Sequence, residues 1–238
     1  MLLYSILYSL EDATKNKYIN MFLLLKHTLQ TTFTYDPKVD SYYLLCDADT
    51  QKVLENQKGT RDLNYLTIPK PTTHLEGMLW KYKLQSLLDI EGKDCMYLDV
   101  DMLSVRPLRF FPQKDRLYAL PEGNPSNENY CGSFELDAQY GFSAGWFVFN
   151  FGSTVRAIFD KVLKLADECK DKFYTVEQPF FNKAIEKTGT YICRPSIVSF
   201  NGNNYLDECR FISYAGEPGN AEFHWNKGFQ LYMRLFRT

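Results

Sequence analysis

Two stretches of this 238-residue chain share one form, an apolar run ending in Asp-x-Asp: Leu44-Leu45-Cys46-Asp47-Ala48-Asp49 and Met96-Tyr97-Leu98-Asp99-Val100-Asp101. In an extended chain residues i and i+2 point to the same side, so either pair predicts two carboxylates offered to one cation. Oxygen-only ligands suit a hard ion such as Mg²⁺ or Mn²⁺, which completes its shell with water and substrate phosphates. Spacing alone does not choose between the pairs, but the flanking residues help. Asp49 runs into Thr50-Gln51-Lys52-Val53-Leu54-Glu55, a helical stretch that Asp49 or Thr50 is placed to cap, and capping is reason enough for that pair. Asp101 is followed by Met102-Leu103-Ser104-Val105-Arg106-Pro107, which is no helix start. The second pair is therefore the metal candidate, and open α/β sheets bind ligands beyond the carboxyl ends of their strands.

The elements that must position these carboxylates alternate along the chain as a mostly parallel α/β sheet flanked by helices requires. Strands are expected at Leu2 to Ser9, Ser41 to Cys46, Tyr65 to Ile68, Cys95 to Leu98, Leu117 to Leu120 and Phe142 to Phe149. Helices are expected at Lys17 to Leu29, Thr50 to Gln57, Glu76 to Leu88, Ser153 to Cys169 and Glu177 to Lys187, with Tyr18, Phe22, Leu25 and Leu29 on one stripe of the first. Glu122 to Gln139, rich in Asn, Ser and Gly, reads as a flexible loop. No linker separates two independent domains, so a single domain over 1–238 is expected.

Charge excludes several partners. There are 27 Lys plus Arg against 29 Asp plus Glu, a net −2, and no basic cluster of the kind nucleic acids or anionic membranes require. MLLYSILYSL is too short for a membrane span and lacks a signal peptide's charged start. The six cysteines form no C-x-x-C pair, and the one N-x-S triplet is blocked by Pro125. These features predict a cytoplasmic protein, in the host cytoplasm if the source is viral. Aromatic residues, 16% of the chain, exceed what such a core needs.

Lys93-Asp94-Cys95-Met96-Tyr97-Leu98-Asp99-Val100-Asp101 resembles the DxD signature of GT-A glycosyltransferases, most closely the glycogenin-like family 8. Lys83-Leu84, sixteen residues before Asp99, is similar to the family's lysine or arginine that contacts the sugar nucleotide. Phe142-Ser143-Ala144-Gly145-Trp146-Phe147-Val148-Phe149-Asn150 resembles its F-N-[AS]-G-x-[FL]-[VL]-x-N strand, and Glu177-Gln178-Pro179-Phe180-Phe181-Asn182 its D-Q-x-x-[FL]-N helix start. The departures are Ser143 for Asn, Glu177 for Asp, and Ser213-Tyr214-Ala215-Gly216 in place of H-F-x-G.

The resemblance implies a single Rossmann-like GT-A domain, with a nucleotide-sugar half over 1–105 and an acceptor half over 106–238. It implies a donor site of Tyr8, Ser9, Tyr18, Lys83, Asp99, Val100, Asp101, Ser143, Ala144 and Gly145, with Tyr18 stacked on a uracil base. It implies Mn²⁺ or Mg²⁺ held by Asp99 and Asp101, with His224 or Ser213 at the third position, and Glu177 and Gln178 as catalytic residues. The implied reaction is transfer from a nucleotide-diphosphate sugar, a UDP-sugar foremost, to a glycan or protein acceptor with retention. Two rivals differ in class. A haloacid-dehalogenase-type phosphatase needs Thr or Val two residues beyond the second Asp, where this chain has Gln51 and Leu103. A sugar-nucleotide or glycan-binding domain without turnover would suit the absence of His at Ser213. Aromatic faces pack against sugar C–H faces, so Tyr18, Tyr130, Phe134, Trp146, Tyr214, Phe223 and Trp225 are expected near a carbohydrate.

Overall fold

The computed structural model describes residues 1–57, 59, 60, 62–169, 177–188, 191, 192, 197–200 and 209–213. Its strands are β1 (Leu2–Ile6), β2 (Ser41–Cys46), β3 (Asn64–Thr67), β4 (Asp94–Leu98), β5 (Met102–Ser104), β6 (Leu117–Gly123), β7 (Gly141–Asn150), β8 (Tyr191–Ile192), β9 (Val198–Phe200) and β10 (Phe211–Ser213). Its helices are α1 (Tyr18–Thr31), α2 (Ala48–Glu55), α3 (His74–Met78), α4 (Glu128–Cys131), α5 (Ser153–Glu168) and α6 (Gln178–Ile185). Seven strands join in the order β3-β2-β1-β4-β7-β6-β8, and β5-β10-β9 form a small second sheet. The β1–β4, β2–β3 and β6–β8 pairs are parallel, while β7 runs antiparallel to both β4 and β6. β1 is buried along its whole length and β7 at nine of its ten residues, as strands covered on both faces must be.

The chain divides into two compact units. The first takes Met1–Tyr4, Pro71–Leu98 and Phe110–Pro195. Its core is aromatic: Tyr97 stacks on Phe147 with ring centroids 5.0 Å apart, Phe147 on Phe181 at 5.5 Å, and Phe149 meets Phe159 edge-on at 5.2 Å. α5 buries Val155, Ile158, Phe159, Val162 and Ala166, the stripe that a 3.6-residue period predicts. Asp115 starts this helix by accepting from the Thr154 and Val155 N–H groups and from both hydroxyls of Ser153 and Thr154. Trp146, expected to face a sugar, is a core residue at 1% exposure.

The stretch expected as one helix from Glu76 to Leu88 is instead the short α3 followed by 3-10 turns at Leu79–Tyr82 and Leu84–Ser86. Its apolar stripe is real, since Tyr82 and Leu84 are buried, but Lys81 is buried with them, and a regular helix is not what delivers it. Nor is the Glu122 to Gln139 stretch free. It contains α4, and it is tied to α6 by Lys183 Nζ donating to the Glu135 carbonyl and the Asp137 N–H donating to Glu186. Phe134 meets Phe180 edge-on. Tyr130 lies on the paired glycines Gly123 and Gly141 of β6 and β7, where a Cβ on either would collide with its ring.

The second unit takes Ser5–Lys70, Asp99–Arg109 and the chain from Ser196 onward. α1 packs on β5, and Leu24, Leu103, Val105, Cys209 and Ile212 form a buried cluster. Buried hydroxyls join the two elements: Thr32 and Ser104 are 2.6 Å apart, and the Ser104 N–H donates to the Thr28 hydroxyl. Tyr18 does not share the buried stripe of α1, being 41% exposed.

Candidate functional site

In the second unit the two acid pairs have separate roles. Asp47 is the N-cap of α2, accepting from the Asp49 and Thr50 N–H groups, from the Thr50 hydroxyl at 2.6 Å, and from the Ser9 N–H. The expected cap was Asp49 or Thr50; the helix starts earlier, at Ala48, and Asp47 takes the part. Burial opposes ionisation of Asp47, but these hydrogen bonds, the Thr50 hydroxyl's first, outweigh it and hold its carboxyl below the usual aspartate range. Asp49 instead pairs with Lys70 at 3.1 Å. Ser9 also bonds through its hydroxyl to Thr50 and Asn16, and the Tyr8 carbonyl accepts from Asn16, so both residues serve this junction.

Asp99 and Asp101 are not in extended chain. They sit in the turn between β4 and β5, closed by the Met102 N–H donating to the Asp99 carbonyl at 3.3 Å, with Val100 at its crest. Both are half-buried, and Asp101 keeps its Oδ1 out of solvent. Tyr18 lies in the field of this turn: burial, then the charges of Asp101 and Asp99, push its phenol above the usual range. Ser213 is brought to the same place, since β10 pairs with β5 so that Ser213 stands opposite Met102, the residue after Asp101. His224 lies outside the described residues, as do Tyr214, Phe223 and Trp225. Two aspartates in one turn supply the hard oxygen ligands of a Mg²⁺ or Mn²⁺ site, and such ions use one or two carboxylates beside substrate phosphates, so the turn fits part of a shell. Among the described residues, no group of three or more His, Cys, Asp or Glu completes one.

In the first unit a defect in β7 organises the second group of candidates. Ala119 pairs with Phe147 but Pro121 with Phe142, so Ser143 to Trp146 stand opposite the single residue Leu120. On the other side, β4 ends its ladder at Leu98 opposite Trp146. Ser143, Ala144 and Gly145 thus pair with neither neighbouring strand, an irregular bulge larger than the usual two residues against one.

Side chains satisfy this backbone. The Ala144 N–H donates to Gln178 Oε1 at 3.0 Å, and its carbonyl accepts from Lys81 Nζ at 3.0 Å. One turn further along α6, Asn182 bonds both the N–H and the carbonyl of Phe142. Gln178 and Asn182, at i and i+4, therefore replace a missing strand partner. The other end of Gln178 donates from Nε2 to the Asn129 carbonyl of α4 at 3.2 Å. The Ser143 hydroxyl accepts from the Gly145 N–H.

Glu177 precedes α6 and makes no capping bond; its Oε1 lies 2.8 Å from Lys81 Nζ, which also sits 4.4 Å from the centre of the Tyr97 ring. Lys81, missed in the sequence, is the buried cation of this group, whereas Lys83 is half-buried and lies 4.8 Å over the Trp80 ring. The i+4 spacing of Gln178 and Asn182 was a signal for the first arrangement. Nothing local signalled Lys81.

No protein-family profile and no curated protein sequence matches the chain. Among solved structures it is similar to the galactosyltransferase LgtC in complex with donor and acceptor sugar analogues, with a TM-score of 0.65 and 13% identity over 97% of this chain and 96% of that one. An active-site mutant of LgtC gives a TM-score of 0.65 at 14% identity, over 97% and 96%. The bifunctional glycosyltransferase WbbM, without ligand, gives 0.62 at 12% identity, covering all of this chain and 51% of that one. At such identities the likeness is one of fold: the chain has the GT-A α/β architecture of these glycosyltransferases, a mostly parallel central sheet flanked by helices.

Proposed function

We propose that the protein is a metal-dependent glycosyltransferase that moves a sugar from a nucleotide-diphosphate sugar, a UDP-sugar foremost, to a glycan or protein acceptor with retention. One observation carries the reading: an Asp99-x-Asp101 turn at the carboxyl end of β4, with Tyr18 in its field, in a chain of GT-A fold. Asp99 and Asp101 would hold Mn²⁺ or Mg²⁺, with Ser213 or His224 or water at a third position. Bound there, the ion supplies Lewis-acid stabilisation of charge on a leaving diphosphate, worth several kcal/mol.

The protein's own groups do the rest. Tyr18 offers an exposed ring face for a base. The bulged Ser143-Ala144-Gly145 segment brings backbone, with little side chain, towards a sugar. Glu177 and Gln178 stand on the acceptor side, and Lys83 is a cation for a phosphate or sugar oxygen. A second reading, a sugar-nucleotide binder without turnover, is favoured by Ser213 standing where the resemblance expects His.

Release of nucleotide from UDP-sugars in Mn²⁺ tests both. The expected result is Mn²⁺-dependent release that Asp101→Asn lowers by about 100-fold or more at unchanged melting temperature, while Asp47→Asn keeps the metal dependence. Wild-type transfer by Asp101→Asn would overturn the site. A thermal shift with UDP-sugars and no release would favour the binder.

A further inference from the structure

Gln178 is expected from the resemblance to be catalytic, yet both ends of its amide are engaged. Oε1 accepts from the Ala144 N–H at 3.0 Å and Nε2 donates to the Asn129 carbonyl at 3.2 Å. These partners belong to two different elements, the β7 bulge and α4. An amide is suited to such a bridge because one end accepts and the other donates. Swinging the side chain towards an anomeric carbon would draw its amide away from the Ala144 N–H and the Asn129 carbonyl that now orient it.

Neighbouring contacts reinforce the arrangement. Asn182 holds Phe142 one turn on, Lys81 holds the Ala144 carbonyl, and Tyr130 fills the slot over Gly123 and Gly141. The stretch from Asn129 to Asp137 is thereby fastened down α6, at Gln178, Phe180, Lys183 and Glu186.

We propose that Gln178 is a positioning residue: its amide locks the 127–132 segment to the β7 bulge and sets the backbone of Ser143 to Gly145 for the donor sugar. This rests on the transferase reading only for its kinetic consequence. The bridge itself is tested by hydrogen–deuterium exchange on the full chain without ligand. Gln178→Ala removes both bonds, so Ala144 and the 127–132 segment should each exchange about tenfold faster or more. Gln178→Glu keeps an oxygen for Ala144 but sets a carboxylate against the Asn129 carbonyl. It should loosen 127–132 while leaving Ala144 within about threefold of wild type. If Gln178→Ala leaves both segments as protected as wild type, the bridge does not exist and the proposal fails.

The kinetic arm uses UDP-galactose and UDP-glucose hydrolysis in Mn²⁺. A positioning role predicts a donor KM raised about five- to tenfold by Gln178→Ala, a kcat that falls less than about tenfold, and partial recovery of KM in Gln178→Glu. A kcat reduced by about 1,000-fold at unchanged KM and exchange would instead make it an attacking group. Should wild-type protein hydrolyse neither donor, that counts against the transferase reading, and the exchange measurements still decide the bridge.

Discussion

The Lys81 ammonium lies 2.8 Å from Glu177 Oε1, with the lysine side chain wholly enclosed and that of the glutamate 8% exposed. Removing one member leaves the other as a buried, uncompensated charge, whereas removing both does not. Lys81→Met should therefore cost about 3–5 kcal/mol of folding stability, and Lys81→Met with Glu177→Gln should recover much of it. Denaturant midpoints of the two variants check this. Equal losses in both would mean that the pair contributes by packing alone.

The acid pair at Asp47 predicts a different loss. Asp47→Ala removes the cap of α2 and the partner of the Ser9 N–H, so it should lower stability by about 1–2 kcal/mol while any Mn²⁺-dependent nucleotide release survives in the folded fraction. Asp101→Asn should show the reverse pattern. Thermal melts and release assays on both proteins, side by side, separate a cap from a ligand.

Much of this division was legible beforehand, because a helical stretch at the first acid pair and none after Asp101 are local facts of the chain. α1, α5 and the β4 terminus at Leu98 follow from periodicity for the same reason, whereas β1, expected to run to Ser9, ends at Ile6. What lay beyond reading was long-range. Lys81 and Glu177 are 96 residues apart, so a lysine inside an apolar stripe showed no reason to be enclosed. The stripe from Glu76 to Leu88 suited a helix and suits α3 with 3-10 turns equally, since its apolar residues are buried either way. The carboxylates at 99 and 101 were read as extended, and the turn closed at Met102 is a consequence of β5 leaving to pair with β10.

Acid should weaken the fold through two aspartates. At Asp115 burial opposes ionisation, but hydrogen bonds from the Thr154 N–H and hydroxyl, then Val155 and Ser153, hold the carboxyl below its usual value, as at Asp47. A group whose folded value is depressed contributes stability that is complete above the unfolded value of about 3.9 and is lost as pH falls through the folded one. Stability should thus be flat in these terms from pH 7 to about pH 5 and fall below about pH 4. Asp115→Asn should flatten that acid limb, as read from urea midpoints at each pH. A limb of unchanged slope would remove Asp115 from the account.

Tyr130 and Gly141 make a steric prediction. Gly141→Ala places a methyl group into the Tyr130 ring and should destabilise by about 1–3 kcal/mol, with faster proteolysis of the 127–139 segment. In a Tyr130→Ala background, where the ring is gone and only the Cβ of residue 130 stays close, the same change should cost less, a coupling that a double-mutant cycle measures directly.

The two compact units are woven from alternate lengths of one chain: the first needs Met1 and also Pro195, and the second resumes at Ser5, Asp99 and Ser196. No single cut yields either one whole. A recombination event that exchanged a contiguous half would deliver fragments of both, so this architecture can change by substitution within its segments but not by shuffling a ready-made module.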